Sequence, residues 1–181
     1  YNVDLVGGDT TTSLTGFAIS VTAMGTAEAS KVCYRSGAKL NDLVCITNNL
    51  GAAYMGLHLL EREKRALAGS PDPQPKFEGY EYLLQRQLKP EARVDIIDSL
   101  AEAQIVPTSM IDLSDGLASD VMQICKASKC GVRIYLERIP IAQQTNQMAE
   151  ELNADPVVAA LNGGDDYELL FTVPLALQEQ I

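Results

Sequence analysis

Met110-Ile111-Asp112-Leu113-Ser114-Asp115-Gly116-Leu117 is the stretch on which the reading of this chain turns. Ser109 to Leu113 reads as a buried strand and Asp115 to Ser128 as an amphipathic helix, so two carboxylates three residues apart fall on a strand-to-helix junction. At the strand end Asp112 and Ser114 share one face. Asp115 swings to the helix start, and three oxygens can converge on one point. The plainer alternative makes Ser114 or Asp115 an N-cap, which leaves Asp112 without a task.

Two further loops repeat the pattern of glycine beside acid. Gly163-Gly164-Asp165-Asp166-Tyr167-Glu168 gathers three carboxylates before the strand Tyr167 to Val173. Adjacent acids repel, so they seldom gather without a cation or a donor-rich partner; a solvated turn is the other reading. Gly7-Gly8-Asp9-Thr10-Thr11-Thr12 places two residues lacking Cβ beside a carboxylate and three hydroxyls. Glycine lets backbone N–H groups approach an anion, and an aspartate there can hold a hard cation that the anion shares. The alternative is a turn in which Asp9 and a threonine cap each other. Together the loops point to Mg²⁺ and phosphates, because a polyphosphate and a carboxylate cluster are compatible only when metal bridges them.

Outward from these loops the elements alternate. Strands are expected at Val3 to Val6, Phe17 to Met24, Leu43 to Thr47 and Gly131 to Leu136, in addition to those named above. The helix after Asn48-Asn49 is expected to bury Leu50, Ala53, Tyr54, Leu57 and Leu60, with Glu61 and Arg65 paired at i,i+4 on its charged end. Gly69 to Pro75 reads as a surface loop. Helices are expected at Phe77 to Leu88, Glu91 to Gln104, Ile141 to Leu152 and, briefly, from Asp155-Pro156. The class is therefore α+β or α/β, and periodicity does not choose between them.

Composition removes several chemistries. Among 181 residues, 14 basic side chains face 24 acidic ones, a net charge of −10, and nucleic-acid binding needs a basic stripe to displace counterions. No apolar run approaches the ~18 residues of a membrane span. Four cysteines without a C-x-x-C pair read as reduced core thiols of a cytoplasmic protein. The one histidine, His58, reads as an ordinary helical residue, which leaves little room for a His-based nucleophilic mechanism. No G-x-x-x-x-G-K-[ST] or G-x-G-x-x-G signature is present, so the chain is neither a P-loop enzyme nor a protein kinase.

Five segments carry a resemblance: Gly7 to Thr11, Tyr34 to Lys39, Leu50 to Leu57, Met110 to Leu117 and Gly163 to Leu169. In order and spacing they resemble the thiamine-monophosphate kinase family of the aminoimidazole ribonucleotide synthetase-like superfamily, over Asp4 to Val173. The resemblance implies a two-domain α+β fold, here as a fragment, with residues 1–32 ending the N-terminal ATP- and Mg²⁺-binding domain and 33–181 forming an incomplete C-terminal α+β domain. It implies a homodimer with ATP and thiamine monophosphate as partners, and ATP-dependent phosphorylation of the latter to thiamine diphosphate.

Carried over by position, the resemblance makes Asp9, Asp112 and Asp115 Mg²⁺ ligands, and Gly8, Asp9, Arg35 and Ser114 ATP contacts, with Arg35 stabilising phosphate charge. Asp165 stands where the family has a glutamate that contacts thiamine phosphate, one methylene longer. Asn41 and Asn48 replace usual glycines, and asparagine tolerates the left-handed backbone they would require. The family's further upstream aspartates and a downstream aromatic near thiamine have no counterpart in these residues, so the piece alone is not expected to turn over. Three other readings stay open: a sister synthetase of the superfamily, such as an aminoimidazole ribonucleotide or selenophosphate synthetase, a domain binding a structural divalent cation, and an acidic module that docks a basic partner.

Overall fold

A computed structural model describes residues 3–68 and 74–181. The chain divides into two units, Tyr1–Val32 and Cys33–Ile181. Most of the expected Gly69 to Pro75 loop lies outside the described residues.

In the first unit the expected strands do not form. Phe17, Ile19 and Val21 do alternate as a strand face would, but they are exposed, and no ladder occurs among the described residues of this unit. Alternation supplies only side-chain preference; a strand also needs a backbone partner for its N–H and C=O groups, and none of these residues has one. Among its described residues the only regular element is a 3-10 turn at Ala29–Lys31.

The second unit is built on an antiparallel three-stranded sheet of order β1-β3-β2, with β1 at Asp42–Ile46, β2 at Ser109–Leu113 and β3 at Glu168–Pro174. Leu113 pairs with Glu168 and Asp112 with Leu169, while Ile46 pairs with Leu170 on the other side. β3 is central, and its near-continuous apolar run is explained by cover on both faces. Leu170 belongs to a cluster with Leu113, Leu117, Val121 and Ile124, whereas Phe171 and Val173 pack with Leu100 and Ile105. Strand parity separates the two sets.

Six helices complete the described unit: α1 (Ala52–Leu67), α2 (Glu81–Leu88), α3 (Val94–Glu102), α4 (Leu117–Ser128), α5 (Gln143–Glu151) and α6 (Pro156–Asn162). α6 begins as expected, with the Asp155 side chain accepting from Val157 N at 2.8 Å. The stripe expected on α1 is displaced. Its buried residues are Ala52, Ala53, Met55, Gly56, Leu59 and Glu63, and Leu57 is exposed. The shift follows from α2, which crosses so closely that a Cβ on Gly56 would lie 2.4 Å from Leu83 O. Only a residue without a side chain permits that approach, so the helix turns its small residues inward.

Gly131 to Leu136 is a second correction, since it joins no ladder and ends in a 3-10 turn at Leu136–Arg138. Across a cavity of about 770 Å³ it faces β1, whose outer edge it does not pair with. α2, α3 and α4 also start later than expected, at Glu81, Val94 and Leu117, because Gly79, Pro90 and Gly116 respectively break the preceding backbone. Asn41 and Asn48 adopt φ of 68° and 52°, the left-handed backbone expected where they replace glycine.

His58 lies on α1 with its ring edge-on to Tyr54, an ordinary helical position. All four cysteines are free thiols, and burial raises the pKa of Cys33, Cys45 and Cys125. No helix among the described residues is long and apolar enough to cross a membrane.

Candidate functional site

The acidic site forms where β2 ends, because the loops at 112–116 and 163–168 are hydrogen-bonded to each other. Asp165 N donates to Ser114 O at 2.9 Å and Tyr167 N to Leu113 O at 2.8 Å, extending the β2–β3 ladder past its last pair. Glycines make the approach possible. A Cβ on Gly164 would lie 2.4 Å from Ser114 O, and one on Gly116 would lie 2.7 Å from Leu161 O. Both residues have positive φ, 69° and 97°, and Asp165 and Tyr167 follow at 58° and 50°. Positive φ on a tyrosine is costly and persists only where the surroundings fix it.

Parity then sorts the acids. Asp166 and Glu168 turn inward, 3% and 1% exposed, and Asp165 and Tyr167 turn outward. Asp112, Asp115 and Asp165 share one electrostatic neighbourhood: the Tyr167 hydroxyl pKa is raised first by the Asp165 charge, then by burial, with further contributions from Asp112 and Asp115. The Tyr167 hydroxyl donates to Asp165 Oδ1 at 3.4 Å.

The inward acids have found donors instead of a cation. Asp166 accepts from Gly51 N at 2.7 Å and Ala53 N at 3.4 Å, at the start of α1. Burial still pushes its carboxyl pKa up, against those N–H bonds and the nearby Arg86 charge. Glu168 is shared by two guanidinium groups: Arg86 Nη1 donates to Oε1 at 2.5 Å and Arg93 Nη1 to Oε2 at 2.6 Å. Thr47 and Asn48 side chains also donate to it. Arg86 reaches further, to the carbonyls of Asn49 and Asp166 at 3.3 Å each. The donor-rich partners that adjacent acids call for are therefore the amides of Gly51 and Ala53 for Asp166 and this arginine pair for Glu168.

A third buried acid supports the other loop. Asp120, on the first turn of α4 and 2% exposed, accepts from Ser114 N and Asp115 N, both at 3.0 Å. Its pKa is raised, chiefly by burial, with the charges of Asp115 and Asp112 adding to the effect. Neither Ser114 nor Asp115 is an N-cap by side chain: the cap of α4 is Gly116, without a side-chain bond.

The residues singled out from sequence are thus placed as follows. Ser114, Asp115 and Asp165 come together, with Asp112 beside them at the end of β2. Arg35 is exposed on a turn of the same unit. Gly8 and Asp9 lie in the N-terminal unit, where Thr10 N donates to Asp9 Oδ1 at 2.8 Å, the local capping considered above. Among the described residues no three His, Cys, Asp or Glu side chains form a ready metal cage. Arg86, Arg93 and Asp120 were not foreseen. Parity would have flagged the need for the arginines, since Asp166 and Glu168 share the side of Leu170; nothing in the spacing names Arg86 or Arg93 as the answer.

With this geometry the chain takes its place in a class: it belongs to the AIR synthase related proteins, whose C-terminal domain profile matches residues 42–174. Within that class its relatives include thiamine-monophosphate kinases. It is 34% identical over 181 residues to the thiamine-monophosphate kinase of Haemophilus influenzae, covering 100% of this chain and 50% of that protein. Among solved structures it is similar to AaThiL complexed with AMPPCP and TMP (33% identity, TM-score 0.65, 78% of this chain and 42% of that one). It is also similar to the thiamine-monophosphate kinase of Stenotrophomonas maltophilia K279a (27%, TM-score 0.70, 85% and 46%). The chain spans about half the length of the curated relatives it matches. The fold is accordingly the mixed helix and strand arrangement of these structures.

Proposed function

We propose that this chain is part of an ATP-dependent kinase that phosphorylates thiamine monophosphate to thiamine diphosphate. The observation that carries the reading is the sorting of acids at the joined loops: Asp166 and Glu168 are bound internally by arginines and amides, while Asp112, Asp115 and Asp165 face outward without an ion pair among the described residues. Outward acids held on a stiff frame suit a cation that arrives with an anionic substrate. The relatives support the chemistry, since AMPPCP is an ATP analogue and TMP is the phosphate acceptor.

The donor set fits Mg²⁺. Magnesium prefers hard oxygens, keeps several waters and is usually held by one or two carboxylates plus substrate phosphates rather than by an all-protein cage. Asp112 and Asp115 would hold it, and bound there it would neutralise phosphate charge. Gly8, Asp9, Arg35 and Ser114 are assigned to ATP. The guanidinium of Arg35 would add a fixed cationic fork for phosphate oxygens. Asp165 is assigned to the thiamine phosphate side, one methylene shorter than the family glutamate.

In the step itself an oxygen of the acceptor phosphate attacks the γ-phosphorus in line, the new P–O bond forms, and the bond to the β,γ-bridging oxygen breaks to release ADP. The acceptor is already ionised at neutral pH, so no strong base is needed and the chain's residues act by positioning and charge stabilisation. Residues 1–32 are read as the end of an N-terminal domain and 33–181 as the C-terminal one, in a cytoplasmic homodimer.

Thermal shift of the full-length protein with Mg²⁺ alone, ATP alone and both together tests the reading. A kinase site is stabilised most by the pair, a structural cation site by metal alone, and a docking module by neither.

A further inference from the structure

α4 holds the acidic site at its first turn, through Asp120, and its last turn holds something else. Ser128 Oγ accepts from Gly37 N and Ala38 N, both at 3.1 Å, across some 90 residues of sequence. The turn it grips is Tyr34 to Lys39, which bears Arg35. Other bonds fix the remaining sides of that turn: Met110 N donates to Tyr34 O at 3.0 Å, and Lys39 N donates to Asp42 Oδ2 at 2.9 Å. Gly37 has φ of 126°, and a Cβ there would lie 2.3 Å from Thr108 O, so the turn has little room to take another shape. Arg35 at its tip is exposed and makes no ion pair among the described residues.

We infer that Ser128 is a positioning residue for Arg35, and that α4 thereby sets the spacing between the cationic turn and the acidic loop. Asp120 and Ser128 are eight residues apart, which is about 12 Å of helix rise, and each accepts two backbone N–H groups from a loop assigned to the nucleotide site. A serine serving only the helix end would bond to a carbonyl of its own last turn; this one instead accepts from a distant segment. Without the hydroxyl, the amides of Gly37 and Ala38 lose their acceptor, and Arg35 would sample orientations that no longer meet phosphate. The inference rests on the assignment of Arg35 to ATP made above.

The test uses the full-length protein with Ser128→Ala and Ser128→Thr. For Ser128→Ala the expected results are faster amide exchange at Gly37 and Ala38, a KM for ATP raised about tenfold, as the loss of two ordinary hydrogen bonds allows, and an unchanged KM for thiamine monophosphate. Ser128→Thr, which keeps the hydroxyl, should restore both readouts. The inference is overturned if the amides exchange faster while KM for ATP stays put, or if the KM values of both substrates rise together, as general loosening would cause. Wild-type protein that forms no thiamine diphosphate overturns the kinase reading itself and this inference with it.

Discussion

Replacing Arg86 by Met probes the frame behind the candidate site. Methionine keeps much of the apolar stem of arginine but removes the guanidinium that bonds Glu168 at 2.5 Å and two carbonyls at 3.3 Å. Glu168 is 1% exposed, so water cannot replace the lost donor. Breaking a buried ion pair from one side costs about 3–5 kcal/mol. The low end applies because Arg93 still holds Oε2 at 2.6 Å, so the expected loss is about 3 kcal/mol. With a urea m-value of about 2 kcal/mol/M, the midpoint of denaturation should fall by about 1.5 M at unchanged m.

A second substitution sharpens the test. Adding Glu168→Gln removes the uncompensated charge while keeping an acceptor for Thr47 and Asn48, and Arg93 retains Asp95 as a partner at 2.8 Å. The double variant should therefore recover at least about 1 kcal/mol relative to Arg86→Met. A midpoint shift below about 0.5 M for the single variant, or no recovery in the double one, would refute the idea that this arginine stabilises the loop by compensating Glu168.

Three further outcomes are expected. Asp120 has a folded pKa raised by burial, so the folded state holds its proton more tightly than the unfolded chain does; the stability it lends at low pH is lost as pH climbs from the unfolded carboxyl pKa through the folded one. Asp120→Asn should accordingly gain stability relative to wild type between pH 4 and pH 7 in urea titrations, and a trend in the other direction would show that the two N–H bonds outweigh burial. Gly164→Ala should cost about 1–3 kcal/mol in the same assay, since its φ of 69° disfavours a side chain and the new Cβ would sit 2.4 Å from Ser114 O; a neutral result would mean the two loops can separate without cost. Asp115→Asn should lower the Mg²⁺-dependent rate of the full-length protein far more than its melting temperature, because the side chain is exposed and supports no core contact. Equal losses in both would argue against a metal role.

Much of the second unit could be read from its residues because local pattern and tertiary need agree there. Ser109 to Leu113 and the run into Val173 carry apolar residues on both parities, and these found cover on two faces. Phe17 to Met24 and Gly131 to Leu136 have equally good strand patterns, yet neither joins a ladder, since pairing depends on a partner that alternation cannot name. The stripe on α1 shifted for a similar reason: the crossing of α2 over Gly56, not the helix's own periodicity, selects the inner face.

At the candidate site the outward acids stood out because glycine beside carboxylate is a local signal. Their supports did not. Arg86 and Arg93 are about 80 residues from Glu168, and Ser128 is about 90 from the turn it grips, so these bonds exist only once the chain has folded.

The most direct measurement is product analysis of the full-length protein incubated with ATP, Mg²⁺ and thiamine monophosphate. Thiamine diphosphate and ADP should appear in equal amounts, with neither formed when Mg²⁺ is withheld. ADP and inorganic phosphate released without thiamine diphosphate, or thiamine diphosphate formed at the same rate in excess chelator, would contradict the assignment of these acidic loops to metal-assisted transfer between two phosphates.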